Sequence, residues 1–162
     1  MRSSLWKLAL VSTVAVVSSG GLEAQSSDVS NGTGPMFQYM GPLTFGPDAT
    51  LFAADSQEVF IYALDLSGHV GGGTPGTESI SGLDHRIAAM LGTDASNLVV
   101  TDLAVYAGTG NAFVSVMRGH GAEAAAVLLR IDGAGDISVV PLDEVPYSRV
   151  RLPNPPEDVT PL

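Results

Sequence analysis

Histidine meets a carboxylate at two places in this chain, Asp84-His85 and His120-Gly-Ala-Glu123, and the second has a spacing that suits chemistry. An imidazole and a carboxylate held close together can act as an acid–base pair or share a metal ion. Arg118 stands two residues before His120 and would add a cation to the same loop. We therefore predict a ligand-binding loop with Arg118, His120 and Glu123 as its candidate contacts. The competing interpretation is a polar surface loop without a ligand, because such pairs are common on surfaces.

Four aspartates are expected at the ends of strands, namely Asp55, Asp65, Asp102 and Asp132. A calcium ion takes six to eight oxygen ligands, and no stretch of the sequence has the spaced Asp and Asn ligands of a calcium loop. Asp65 and Asp132 are better explained as turn residues, since an aspartate can bond to its own backbone two residues on. We expect no bound cofactor, and Ca²⁺ or another divalent metal is the weaker alternative.

The sequence contains no recognisable nucleophile. Ser115 and Ser138 have no His or Asp at a familiar spacing, and the Gly-x-Ser-x-Gly elbow is absent. The chain has no cysteine, which excludes thiol catalysis, iron–sulfur clusters and cysteine-based zinc sites. The glycine-rich stretch 71–77 lacks the Lys-Ser/Thr ending of a phosphate-binding loop. These observations favour a binding role over an enzymatic one.

Two stretches about 60 residues apart repeat one pattern of strand, turn and strand. The first runs over 41–68 and the second over 101–135, and the matched positions are Leu43 with Leu103, Phe45 with Val105, Phe52 with Phe113, Ile61 with Leu128, Leu64 with Ile131, and Asp65 with Asp132. A repeat of this kind is typical of β-propeller blades. The third strand of the first unit, 58–64, is almost wholly apolar, which predicts packing on both of its faces.

The predicted fold class is therefore all-β, with two β-propeller-like blades and one short inserted helix. The propeller is incomplete, because a closed ring needs at least four blades of about 40 residues each and two blades cannot close it. Asp102 directly precedes the apolar Leu103 and is expected to face the central channel of such a ring.

The inserted helix is predicted over Ser81–Gly92. Ser81 is its expected N-cap, with Asp84 as the reciprocal partner three residues on. Gly92 suits the left-handed position that follows a helix. We expect the helix to cover a blade edge or one mouth of the ring.

The start of the chain is typical of a cleavable signal peptide. Arg2 and Lys7 give a positively charged start before the apolar run 8–17, and a plausible cleavage site follows at Ala24. The run is shorter than the roughly 20 residues that span a bilayer. A further segment is rich in proline, and at this density proline is expected to exclude regular strands. The predicted division is 1–24 signal peptide, 25–35 flexible leader, 36–142 blades (unit one 36–70, helix insert 81–92, unit two 98–142) and 143–162 proline-rich tail.

The charge of the chain limits its partners. It carries 7 Lys and Arg against 17 Asp and Glu, a net charge of −10. This acidity, without a basic patch, argues against nucleic acid and against an anionic membrane surface as partners. We expect an exported protein, periplasmic or extracellular, with no membrane span after cleavage. An unidentified protein or small ligand is the expected partner, and open sheet edges also allow self-association.

The helix and second unit carry a family resemblance. The segments 82–93, 101–105, 111–119, 127–132 and 152–158 resemble a group of exported bacterial β-propeller proteins, and the resemblance covers most of residues 40–158. It implies a longer propeller of which this chain is an N-terminal fragment or a truncated gene product, and it carries over no catalytic residues.

Two shorter phrases resemble other propellers. Phe45–Asp55 is similar to NHL-type and gluconolactonase-like blades, and Tyr62–Gly68 is similar to the quinoprotein repeat of PQQ-binding propellers. Three functions stay open at this point. The first is an exported binding scaffold, the second a gluconolactonase-like metal-dependent hydrolase completed by further blades, and the third a small self-associating β domain.

Overall fold

The computed structural model describes residues 29–71, 76 and 79–153, which form two antiparallel sheets and one α-helix. The first sheet has the order β1-β9-β4-β3-β2, and its strands are β1 (Val29–Thr33), β2 (Met40–Phe45), β3 (Thr50–Asp55), β4 (Phe60–Asp65) and β9 (Pro146–Arg151). The second has the order β5-β6-β7-β8, with β5 (Leu98–Val105), β6 (Ala112–Arg118), β7 (Ala125–Ile131) and β8 (Ile137–Val139). The prediction of a mostly β chain with one helix is confirmed.

The two sheets pack face to face around one apolar core. Leu43, Leu51 and Leu64 reach it from the first sheet, and Phe113 and Leu128 reach it from the second. The period of two along β3 explains this arrangement, since its buried positions alternate with more exposed ones. Removing these side chains from water is the main stabilising contribution that the sheets share.

The first sheet takes its fourth strand from a part of the chain that follows the second sheet. Strand β9 lies between β4 and β1, with Ser148 opposite both Ala63 and Asn31. The expectation that proline excludes regular strands is wrong for 146–151. Pro146 is the first residue of β9, a position where a missing N–H group is tolerated. Part of the predicted flexible leader is likewise a strand, β1, although all five of its residues are exposed.

The helix α1 (Leu83–Leu91) matches the prediction at its C-terminal end but not at its N-terminal end. Gly82, with φ 61°, is its N-cap, and no side chain caps it, so the predicted Ser81 cap is wrong. Gly92 has φ 65° and its N–H bonds to the last turn, which confirms the predicted C-terminal position. No helix in the described part of the chain is long and apolar enough to cross a membrane.

Helix α1 covers the outer face of the second sheet, where an edge or a ring mouth was expected. Its fully buried Ile87 packs with Val114, Val116 and Leu129. Strand β6 is consequently buried on both faces. The predicted packing on both faces is wrong for β4, because Ile61 faces away from the second sheet and is only half-buried.

Asp65 and Asp132 close turns, as their spacing predicts. The Asp65 carboxylate accepts a hydrogen bond from the Ser67 N–H at 2.9 Å. The Asp132 carboxylate accepts from the N–H groups of Ala134 and Asp136, both at 3.0 Å.

The turn at Asp65 has a testable pH dependence. Hydrogen bonds from Ser67 lower the pKa of Asp65 below its ordinary value of 3.8. A carboxyl with a lower pKa in the folded state adds stability above the unfolded pKa, and that stability is lost as the pH falls through the folded pKa. We therefore expect Asp65→Asn to be slightly less stable than the parent at neutral pH and equally stable in strong acid. Urea unfolding of both proteins across the acid range measures the gap, and a gap that persists in strong acid would contradict the assignment.

Candidate functional site

The three residues of the predicted loop do not converge. Arg118 ends β6 and its guanidinium donates to the Leu91 carbonyl at 3.3 Å, at the C-terminus of α1. The His120 ring Nε2 lies 3.3 Å from the Ser96 carbonyl oxygen. Glu123 ends a 3₁₀ turn and is exposed. Of the three, His120 lines a cavity whose lining includes neither Arg118 nor Glu123.

That cavity is a cleft of about 400 Å³ between the two sheets. Its size lies at the small end of the range of ligand pockets. Gln38, Tyr39 and Gln57 line it from the first sheet's loops. Val99, Met117 and His120 line it from the second sheet, followed by the small residues Gly119, Gly121, Ala122 and Ala124. The lining of the cleft thus combines apolar side chains with amide, phenol and imidazole groups.

Asp55 organises the first-sheet wall of this cleft. It is 1% exposed, and its carboxylate accepts hydrogen bonds from the backbone N–H groups of Gln38 at 2.7 Å, Tyr39 at 3.3 Å, Gln57 at 3.0 Å and Glu58 at 3.1 Å. One buried carboxylate therefore holds together two segments that lie about 17 residues apart along the chain. The two bonds from Gln57 and Glu58 follow from the sequence, because an aspartate at a strand end bonds to N–H groups two and three residues on. The two bonds from Gln38 and Tyr39 have no such local signal.

Asp102 ties the sheets to each other. Its carboxylate accepts from the Leu43 N–H at 2.7 Å, and the neighbouring Thr101 hydroxyl donates to the Met40 carbonyl at 2.6 Å. The pairing register shifts at these positions in both β2 and β5, and such irregularities leave backbone groups free for other partners. The structure gives Asp102 this contact between the sheets, and its exposure to a central channel stays a prediction.

A second groove, of about 430 Å³, lies between β2 and β5. Its walls are 43–46 and 103–107, in which Thr44 and Tyr106 supply the side-chain hydroxyl groups. It offers fewer side-chain hydrogen-bonding groups than the cleft beside His120. The cleft is therefore the better candidate for ligand recognition.

The described residues contain no group of three or more His, Asp or Glu placed to hold a metal ion. No family model matches the chain, and no curated protein or solved structure matches it.

Proposed function

We propose that this chain is an exported β-propeller-type binding scaffold, and that the cleft between its sheets binds a small uncharged ligand. The observation that carries the proposal is the cleft wall fixed by Asp55. A buried carboxylate with four backbone donors pre-positions Gln38, Tyr39 and Gln57 before any ligand arrives. Preorganisation of this kind reduces the entropic cost of binding.

The lining of the cleft indicates the chemistry of its ligand. Its polar side chains are two amides, a phenol and an imidazole, and its lining residues include no carboxylate, lysine or arginine. Such groups donate and accept hydrogen bonds without a net charge to match. The net charge of −10 also disfavours anions. We infer a neutral, hydrogen-bonding ligand, such as a sugar or a peptide amide.

The orientation of the repeated residues supports the propeller-type assignment. Leu64 faces the core between the sheets, whereas its counterpart Ile131 lies on the outer face of the second sheet beside α1. Phe52 is 37% exposed on the outer face of the first sheet, whereas its counterpart Phe113 is buried between the sheets. Matched residues thus lie on equivalent faces of their own sheets, although only one residue of each pair faces the core between the two sheets. A rotation that carries one blade onto the next has this property, and a two-fold sandwich does not.

Binding can be tested with neutral probes. We expect glucose, a neutral disaccharide or N-acetylated dipeptide amides to shift the NMR resonances of Gln38, Tyr39, Gln57 and His120. His120→Ala should weaken binding roughly three- to tenfold, since one hydrogen bond contributes about 1 kcal/mol. The matched control is His85→Ala, because that side chain is 80% exposed on α1.

Two results would refute the ligand proposal. One is the absence of any shift in the cleft with these probes. The other is an equal loss of affinity in both histidine variants, which would place the ligand elsewhere.

The gluconolactonase-like alternative rests on the resemblance of Phe45–Asp55, which comprises the last residue of β2, a turn and β3. A metal-dependent hydrolase needs carboxylates that are free to bind the ion. The carboxylate of Asp55 is already bonded to four backbone N–H groups. The binding scaffold is therefore the better supported function.

A further inference from the structure

The outer face of the first sheet is apolar. Phe52, Ile61, Ala63, Val150 and Val29 line a shallow groove of about 180 Å³ there, together with Ser148 and Arg149. Phe52 is 37% exposed and Val29 58% exposed. Large exposed apolar patches usually mark an interface.

At the centre of this face, the side chains that point outward from the strands carry no charge. Strand β3 contributes Phe52 and Ala54, β4 contributes Ile61 and Ala63, and β9 contributes Ser148 and Val150. The whole chain has a net charge of −10, so two copies repel one another over most surfaces. A face whose centre carries no charge is where that repulsion is smallest at contact.

The repeat indicates what kind of element covers such a face. Phe52 and Ile61 correspond to Phe113 and Leu128, which are fully buried against the other sheet of the same chain. Phe52 and Ile61 on the outer face are therefore side chains of the kind that pack against a β-sheet. The outer face of the second sheet cannot serve as that cover in a second copy, because α1 occupies it through Ile87.

We propose that the outer face of the first sheet packs against the same face of a second copy of this chain. The contact is isologous, so it closes at a dimer and does not continue into a fibre. The result is a stack of four sheets with one α1 at each end. This inference does not depend on the ligand proposed for the cleft.

The size of the face sets the expected strength. Its strands have five or six residues each. Five strands about 4.8 Å apart, with about 3.3 Å per residue, give a face of roughly 400 Å². Two copies would then bury roughly 800 Å², which is below the range of stable specific interfaces and fits a weak, reversible contact. We expect a reversible dimer with a Kd in the micromolar range.

Sedimentation equilibrium of the whole purified chain across the micromolar range tests the proposal. We expect the dimer fraction to rise with concentration and with salt, because salt screens the repulsion between copies. Phe52→Glu should abolish the dimer, since it would bury one like charge from each copy in the interface. Leu103→Glu is the matched control, an equally apolar side chain, 48% exposed, that lies outside this face. Ile61→Lys is the second variant in case Phe52→Glu alters the circular dichroism spectrum.

A dimer lost in Phe52→Glu or Ile61→Lys and kept in Leu103→Glu supports the proposal. A monomer at every concentration overturns it. So does a dimer that survives both face variants, because the contact would then lie on another surface such as an open sheet edge.

Discussion

Asp55→Ala is expected to lower the free energy of unfolding by about 3–5 kcal/mol. The carboxylate is 1% exposed and is the acceptor for four backbone N–H groups. Alanine removes the buried acceptor that these four donors share, and each donor left unsatisfied is costly. Urea denaturation followed by circular dichroism measures the change.

Two comparisons separate this network from a general effect of losing an aspartate. Asp55→Asn should be intermediate, because Oδ1 accepts from Tyr39, Gln57 and Glu58 whereas Oδ2 accepts from Gln38. The amide oxygen of asparagine can still accept the three hydrogen bonds made to Oδ1. The negative charge and the hydrogen bond to Oδ2 are lost. Asp65→Ala is the control at an exposed turn and should cost only a small fraction of the loss. Equal losses at Asp55 and Asp65 would contradict the structure.

The same substitution connects stability to the proposed function. Asp55→Asn leaves the side chains of Gln38, Tyr39 and Gln57 in place but loosens the backbone that carries them. We expect weaker binding of the neutral probes in this variant at temperatures where it is still fully folded. Unchanged binding would mean that the cleft wall does not need the carboxylate.

Ser148→Pro is expected to destabilise the protein by about 3 kcal/mol or more. Ser148 lies in the middle of β9, which has a neighbour on each side, so proline removes a ladder hydrogen bond from an internal strand. A side chain of β9 also contacts the neighbouring strand β4. The Arg149 guanidinium lies 4.4 Å from the Phe60 ring centroid and donates to the Tyr62 hydroxyl at 3.1 Å. That hydrogen bond raises the pKa of Arg149, and the Tyr62 hydroxyl in turn donates to the Met36 carbonyl at 2.9 Å.

The matched control is Asn31→Pro, because Asn31 pairs with Ser148 from the exposed strand β1 at the sheet's outermost position. Proline is tolerated far better on edge strands than on internal ones. We expect Asn31→Pro to change the urea midpoint much less than Ser148→Pro. If the two variants unfold at the same midpoint, β9 is not an internal strand and the sheet order is wrong.

Local patterns in the sequence determined most of the secondary structure. The apolar alternation of Thr50–Asp55, the turn aspartates Asp65 and Asp132 and the helix ending at Gly92 all depend on neighbours a few residues apart. The repeat of matched residues also predicted two similar sheets. Such short-range signals can be read because the chemistry that produces them lies within one turn or one strand.

Only the tertiary structure decided the features that connect distant parts of the chain. The partner of β4 is β9, which follows about 80 residues later, and proline content alone argued against a strand there. The donors from Gln38 and Tyr39 to Asp55, the bond from Leu43 to Asp102 and the separation of Arg118 from His120 also depend on how the sheets pack. Pairing over such distances is selected by the burial of whole faces and the satisfaction of backbone groups, which no local pattern encodes.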